Sequence, residues 1–184
     1  DKNIPSAKVW YEKAGNNIYA QYSLAKILMS ESRESKDFSN NSRIISLLDN
    51  SAKKNAYAAY ELGRIHNDGV FAQQSPELSQ KNYKIAFDGF SDMLKKSQKN
   101  DDLLYRLGKM YQLGLGTEVN PEMAKELFEK SALLNNTNAL YSLAKIYIQS
   151  GDNELCQKAM KILEDLYKDN SENPLVPYAL GSAY

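Results

Sequence analysis

Two residue types that build most reactive and metal-binding centres are nearly absent from this chain of 184 residues, which has one cysteine, Cys156, and one histidine, His66. No intramolecular disulfide can form, and no metal site made from several Cys and His ligands can be assembled. A surplus of charge is also missing, since 23 lysines and arginines balance 23 aspartates and glutamates. Non-specific binding to nucleic acid draws on a cationic excess that displaces counterions, so no nucleic-acid partner is expected. No apolar run approaches the roughly 20 residues of a membrane span. The stretch DKNIPSAKVWYEKAG lacks the charged, apolar and small-residue regions of a signal peptide, which puts any targeting segment outside this fragment or removes it. One cysteine fits the cytoplasm, and equally a periplasm or lumen reached through a leader outside the fragment. At this length folding withdraws roughly 70% of the unfolded surface from water, so neither metal nor disulfide is needed to hold a domain together.

What the sequence does contain is a repeat, the first thing to seek because missing it misreads the whole fold. The pattern Y-x-L-[GA] begins at Tyr22, Tyr60, Tyr105, Tyr141 and Tyr178, at intervals of 38, 45, 36 and 37 residues. The first four are followed by a cation (Lys26, Arg64, Lys109, Lys145) and then by an apolar residue (Ile27, Ile65, Met110, Ile146). Between successive anchors lies a second apolar segment of helical period, as in Met123, Ala124, Leu127, Phe128, Ser131 and Ala132. Each repeat therefore reads as two helices, A then B. Ser75-Pro76-Glu77 and Asn120-Pro121-Glu122 set a capping side chain before a proline and an acid, which starts two B helices. Between a B helix and the next A helix stand Gly15 with Asn16 and Asn17, then Asn55, then Asn135 with Asn136. Glycine and asparagine tolerate the left-handed conformation that ends a helix, and short turns of this kind make the paired helices antiparallel. The stretch from Ser30 to Asn41 reads as a polar loop.

The segment YRLGKMYQLGLGTEVNPEMAKELFEKSA, residues 105–132, resembles one repeat of the Sel-one-like family, a relative of the tetratricopeptide repeats. That family's pattern is an alanine-and-aromatic A helix, L-G, a loop bearing G-x-G, and a B helix of the form A-x-x-[LW]-[FY]-x-K-[AS]-A. AKVWYEKA, from Ala7 to Ala14, is similar to the B helix of a preceding unit, and YALGSAY, from Tyr178, to the start of a further A helix. The resemblance implies an all-α fold, an α/α superhelix built as a right-handed solenoid of antiparallel helix pairs. Residues 1–184 would form a single solenoid and a fragment of a longer protein, with units at about 17–55, 56–99, 100–136 and 137–172 and partial units at 1–16 and 173–184. It also implies a non-catalytic scaffold or adaptor that holds a protein or peptide partner on its concave face, with no cofactor. Relatives scaffold endoplasmic-reticulum quality control, cell-wall synthesis, polysaccharide export and host interaction. The alternatives are a regulatory or targeting arm of a larger enzyme or secretion assembly and, with less support in the residues, a beta-lactam-binding or hydrolysing enzyme. Some members carry a cysteine pair in every unit, and this chain does not.

With the anchor tyrosine as position five and about 100° per residue, positions seven, ten and eleven of an A helix share one face, the expected core. Positions two, five, nine and twelve lie opposite, and stacking in this repeat class turns that side to the inner surface. They are Tyr19, Tyr22, Lys26 and Met29; Tyr57, Tyr60, Arg64 and Asn67; Asp102, Tyr105, Lys109 and Gln112; and Asn138, Tyr141, Lys145 and Ile148. The expected partner-binding residues are Tyr19, Tyr22, Lys26, Tyr57, Tyr60, Arg64, Tyr105, Lys109, Gln112, Tyr141 and Lys145. Tyrosine and arginine tend to dominate interface energetics, and rings beside cations suit an extended segment with acidic or aromatic side chains. The competing reading is that each tyrosine packs on the next A helix while the cations are solvated.

Other chemistry is not assembled. His66 holds position eleven, where sister units have Leu28, Tyr111 and Tyr147, and reads as a packed ring. Cys156 reads as a small buried residue. The pairs Asp101 with Asp102 and Glu164 with Asp165 lie among polar neighbours, as caps and solvated faces. No nucleophile, base and orienting group come together, so no enzyme is expected. Gly108, Gly114 and Gly116 look like a phosphate loop, but no strand precedes them. Gly108 sits within a helix at the place of Ala25 and Ala144, and the others mark a bend.

Overall fold

Short polar side chains determine where the helices begin. In the computed structural model, which describes residues 3–97, 99–168 and 175–183, there are ten helices and no strand among the described residues. They are α1 (Ile4–Lys13), α2 (Ile18–Ser35), α3 (Asn41–Ala52), α4 (Ala56–Asp68), α5 (Pro76–Lys96), α6 (Asp101–Leu113), α7 (Pro121–Ala132), α8 (Thr137–Gln149), α9 (Asn153–Lys168) and α10 (Leu175–Ala183). The even-numbered helices are the A helices and the odd-numbered ones the B helices. The unit boundary expected between residues 172 and 173, and Tyr184, lie outside the described residues.

Asn17, Asn55, Asn100, Asn120 and Asn136 each accept a backbone N–H of the first turn that follows, at 2.9–3.1 Å, and so offset donors that a helix start leaves open. Ser75 caps α5 in the same way, accepting from the Leu78 N–H at 3.3 Å. This corrects part of the sequence reading. Of the residues expected to close B helices, Gly15 (φ 55°) and Asn135 (φ 62°) take the left-handed conformation, whereas Asn17, Asn55 and Asn136 are extended and open the next A helix. An asparagine that accepts from the following turn is held in the extended region. The expected loop from Ser30 is half helix: α2 runs to Ser35, since nothing there breaks it, and ends on Lys36 in the left-handed region at φ 55°. Gly69 (φ 73°) and Gly114 (φ 66°) end α4 and α6.

The chain divides into two compact units, Asp1–Phe90 with Leu115–Thr117, and Ser91–Gly114 with Glu118–Tyr184. In both, the anchor leucines Leu24, Leu62, Leu107 and Leu143 are buried, as expected, and so are Ile65 and Met110 at position ten, whereas Ile27 and Ile146 at that position are half-buried. Position eleven is buried only at Leu28, while His66, Tyr111 and Tyr147 are half-buried. Met29, expected to face outward, is 1% exposed. Because α2 continues beyond it, this position lies inside the helix and not in its last turn.

The A and B helices pack closely at position eight, occupied by Ala25, Gly63, Gly108 and Ala144, all buried. Helices α3, α5, α7 and α9 bury a matching set at one register: Ile44, Leu48 and Ser51; Ser79, Tyr83 and Ala86; Ala124, Phe128 and Ser131; Ala159, Leu163 and Leu166. Where the central B residue is aromatic, position eight is glycine. A Cβ on Gly63 would stand 2.6 Å from the Tyr83 ring, and one on Gly108 2.6 Å from the Phe128 ring. Where the central residue is leucine, position eight is alanine, and Ala144 and Leu163 share one core cluster. Serines add a second tie: Ser51 donates to the Ile18 carbonyl at 2.7 Å and Ser131 to the Asp101 carbonyl at 2.8 Å, in each case the first residue of the partner A helix.

Gly108→Ala should therefore destabilise the chain by about 1–2 kcal/mol, the cost of overpacking exceeding the helix propensity gained. In chemical denaturation Phe128→Leu should cost less in the Gly108→Ala background than alone, with a coupling of about 1 kcal/mol. Additive effects would show that the two positions do not interlock.

Candidate functional site

The A helices carry their anchors on a side that is only partly covered. In the first unit Tyr19 stands at the start of α2 with 66% of its surface exposed. Tyr22, Tyr57 and Tyr60 are half-buried and packed: the Tyr22 and Tyr57 rings are 6.4 Å apart, Tyr57 lies 4.9 Å from Phe90, and Tyr60 lies 5.4 Å from Tyr83. The packing alternative, a tyrosine leaning on the next A helix, is thus observed for the anchor Tyr22, whose ring meets Tyr57 at position two of α4. Burial, followed by the charges of Tyr60 and Asp68, pushes the buried Tyr83 phenol far above its ordinary range.

The cations of this unit are already paired. Lys26 Nζ donates to Glu61 Oε1 at 2.8 Å, and Arg64 donates to Glu61 Oε2 from Nη2 at 2.6 Å and from Nε at 3.1 Å. Glu61, at position six of α4, is buried, with 7% of its surface exposed. Burial alone would raise its carboxyl pKa; the Lys26 hydrogen bond and the charges of Arg64 and Lys26 outweigh burial and bring it below the usual range. The sequence reading missed this residue. The signal was an acid directly after the anchor tyrosine in YELG, three residues before Arg64.

Among the described residues the second unit has no counterpart. Position six is Arg106 in α6 and Ser142 in α8; Arg106 pairs with Asp102 at 2.7 Å. Lys109 Nζ donates to the neutral Gln112 Oε1 at 2.7 Å. Lys145 is exposed, its Nζ 5.9 Å from the centre of the Tyr141 ring. Among the described residues neither lysine reaches a carboxylate. Burial first, and then the positive charge of Lys145, lowers the Lys109 ammonium below the ordinary lysine range. Tyr105 packs 5.8 Å from Phe128 and is hydrogen-bonded to Ser142; burial raises its phenol and the Ser142 bond partly offsets this. Tyr141 leans on the cluster of Ala144, Leu163 and Val176. Beside it lies a cavity of about 180 Å³ lined by Tyr141, Lys145, Ile148, Gln149, Tyr178 and Ala179.

His66 Nδ1 lies 3.5 Å from the Gln73 carbonyl, and the half-buried Cys156 has its Sγ 3.8 Å from the Tyr147 carbonyl. Among the described residues no group of three His, Cys, Asp or Glu could hold a metal ion, and no helix is long and apolar enough to cross a membrane.

Residues 1–17, 56–89 and 102–136 match the family model described as Sel1 repeat. Among solved structures the chain is similar to c5321, a protective antigen present in uropathogenic Escherichia coli strains that displays an SLR fold. The identity is 24% and the TM-score 0.64, over 96% of this chain and 36% of that one, so the chain spans little more than a third of the antigen's length. It is also similar to a Sel1 repeat protein from Oxalobacter formigenes, at 21% identity and a TM-score of 0.60, over 96% of this chain and 68% of that one. The sequence matches no curated protein significantly. Sel1 repeats are generally a non-enzymatic fold that commonly mediates protein–protein interaction.

A carboxyl whose folded pKa is depressed contributes stability above its unfolded pKa and loses it as pH falls through the folded value. Glu61→Gln should thus cost about 1–2 kcal/mol in urea unfolding at neutral pH, Lys26 being partly exposed and screened. The difference should fade as pH falls through the depressed folded pKa and the wild-type carboxylate takes up its proton. A loss that does not vary with pH would assign the role of Glu61 to packing.

Proposed function

The chain is a Sel1-like repeat protein, and we propose that it is a non-catalytic scaffold that holds an extended segment of a protein partner against its A-helix face. The observation that carries this reading is the tyrosine and cation pattern of that face, which leaves Tyr19, Lys26 and Lys145 exposed beside half-buried anchor rings. A scaffold needs no reacting group, and His66 and Cys156 each lie against backbone carbonyls instead of a base or nucleophile.

Magnitudes shape the expected affinity. Exposed ion pairs contribute about 0.2–1 kcal/mol each, so a few cations alone give weak binding. Useful affinity requires apolar burial on the edges of the half-buried tyrosines, which tend to contribute most where water is excluded. The partner segment should therefore carry aromatic or apolar side chains as well as acidic ones. In the first unit Glu61 engages both cations, which leaves Tyr19 and the ring edges as its main contribution.

A photo-crosslinking residue in place of Tyr19 or Asn138, both exposed at position two of an A helix, should capture a partner from extracts of the source cell. The same residue in place of Lys81 or Lys161, exposed on B helices α5 and α9, should not. Adducts formed only from the B-helix sites would discard the reading.

A further inference from the structure

The protein contains its own example of how two position-nine cations are satisfied. In the first unit Lys26 and Arg64 belong to consecutive A helices, and both reach the carboxylate of Glu61 at position six of the second helix. In the second unit Lys109 and Lys145 stand at the same positions of the consecutive A helices α6 and α8. Position six of α8 is Ser142, which is 8% exposed, carries no charge and is hydrogen-bonded to Tyr105. The arrangement of cations is repeated and the acid is not.

Resting on the A-helix-face reading, we propose that the second unit holds an aspartate or glutamate side chain of the bound segment between Lys109 and Lys145, as Glu61 is held between Lys26 and Arg64. Three features favour this occupant. Lys109 is half-buried and, among the described residues, has an amide oxygen as its partner, so a carboxylate would supply a charge-assisted bond that those residues do not. The like charge of Lys145 acts on Lys109, and an anion placed between them turns repulsion into two attractions. The cavity of about 180 Å³ beside Tyr141 and Lys145 is of the order that takes one aromatic ring, so the side chain next to the acid should be apolar. The recognised chemistry is then an acidic residue beside an apolar one, in an extended chain.

The test uses peptides selected from a displayed random library on the intact chain, with footprints read from amide shifts. Acid beside apolar should be enriched, and changing that Asp or Glu to Asn or Gln should weaken binding about tenfold. In the Lys109→Gln/Lys145→Gln chain the same change should matter less than about twofold. Ser142→Glu, which builds the missing carboxylate in place, should compete with the acidic peptides. If selected peptides footprint on the A helices but lose nothing on neutralising the acid, or lose as much in the double variant, the acid subsite is overturned and the A-helix-face reading stands. If no peptide is recovered, or the footprints fall on the B helices, both fail.

Discussion

The close approach of each A helix to its B helix is the constraint on which the rest of the structure depends. It is made at one position, three residues after the anchor tyrosine, where glycine faces an aromatic ring and alanine stands at the equivalent place when the B helix offers leucine. Interiors are packed as densely as organic crystals, so a methyl group gained on one side must be lost on the other. With backbones this close, a serine in the last turn of a B helix can reach the first carbonyl of its A helix, which closes the pair at its end. The anchor tyrosines Tyr22, Tyr60, Tyr105 and Tyr141, three residues before this seam, are half-buried and neither fully interior nor free.

This half-buried position explains why the same residues serve packing and still leave a surface. Tyr57 and Tyr60 lean on Phe90 and Tyr105 leans on Phe128, so each ring is braced from the B-helix side. A braced ring loses little rotamer freedom when its edge is covered, which makes it a better contact than a mobile side chain. The cations differ in a way the repeat pattern conceals. Those of the first unit are engaged internally by a buried acid, while Lys109 and Lys145 meet no carboxylate among the described residues. Sequence equivalence of four cations is therefore not equivalence of four binding groups.

Much of the fold was legible because its signals are local. The tyrosine anchors, the small residue at position eight, the capped prolines at Pro76 and Pro121 and the glycine at Gly114 each act within a turn or two of the chain. The errors came where a residue can do either of two local jobs, or where the partner is distant. Asn55 and Asn136 could close one helix or open the next, and only the backbone angles decide. Ser30 to Ser35 is polar enough for a loop, but contains neither glycine nor proline to stop a helix. The candidate site was legible as a set of positions and not as a set of charges. Lys26 meets Glu61 across 35 residues, a pairing set by how consecutive A helices stand side by side.

The complementary sizes across the A and B seam have a consequence for how such a chain can grow. A duplication that copies an A helix together with its own B helix carries both halves of the match and inserts a ready-made pair. A crossover inside a unit would join a glycine to a leucine and leave a void, or an alanine to a phenylalanine and produce a collision. Breakpoints at the asparagine-bearing turns before α2, α4, α6 and α8 are the ones that preserve the fit, so side-chain volume favours shuffling at those turns.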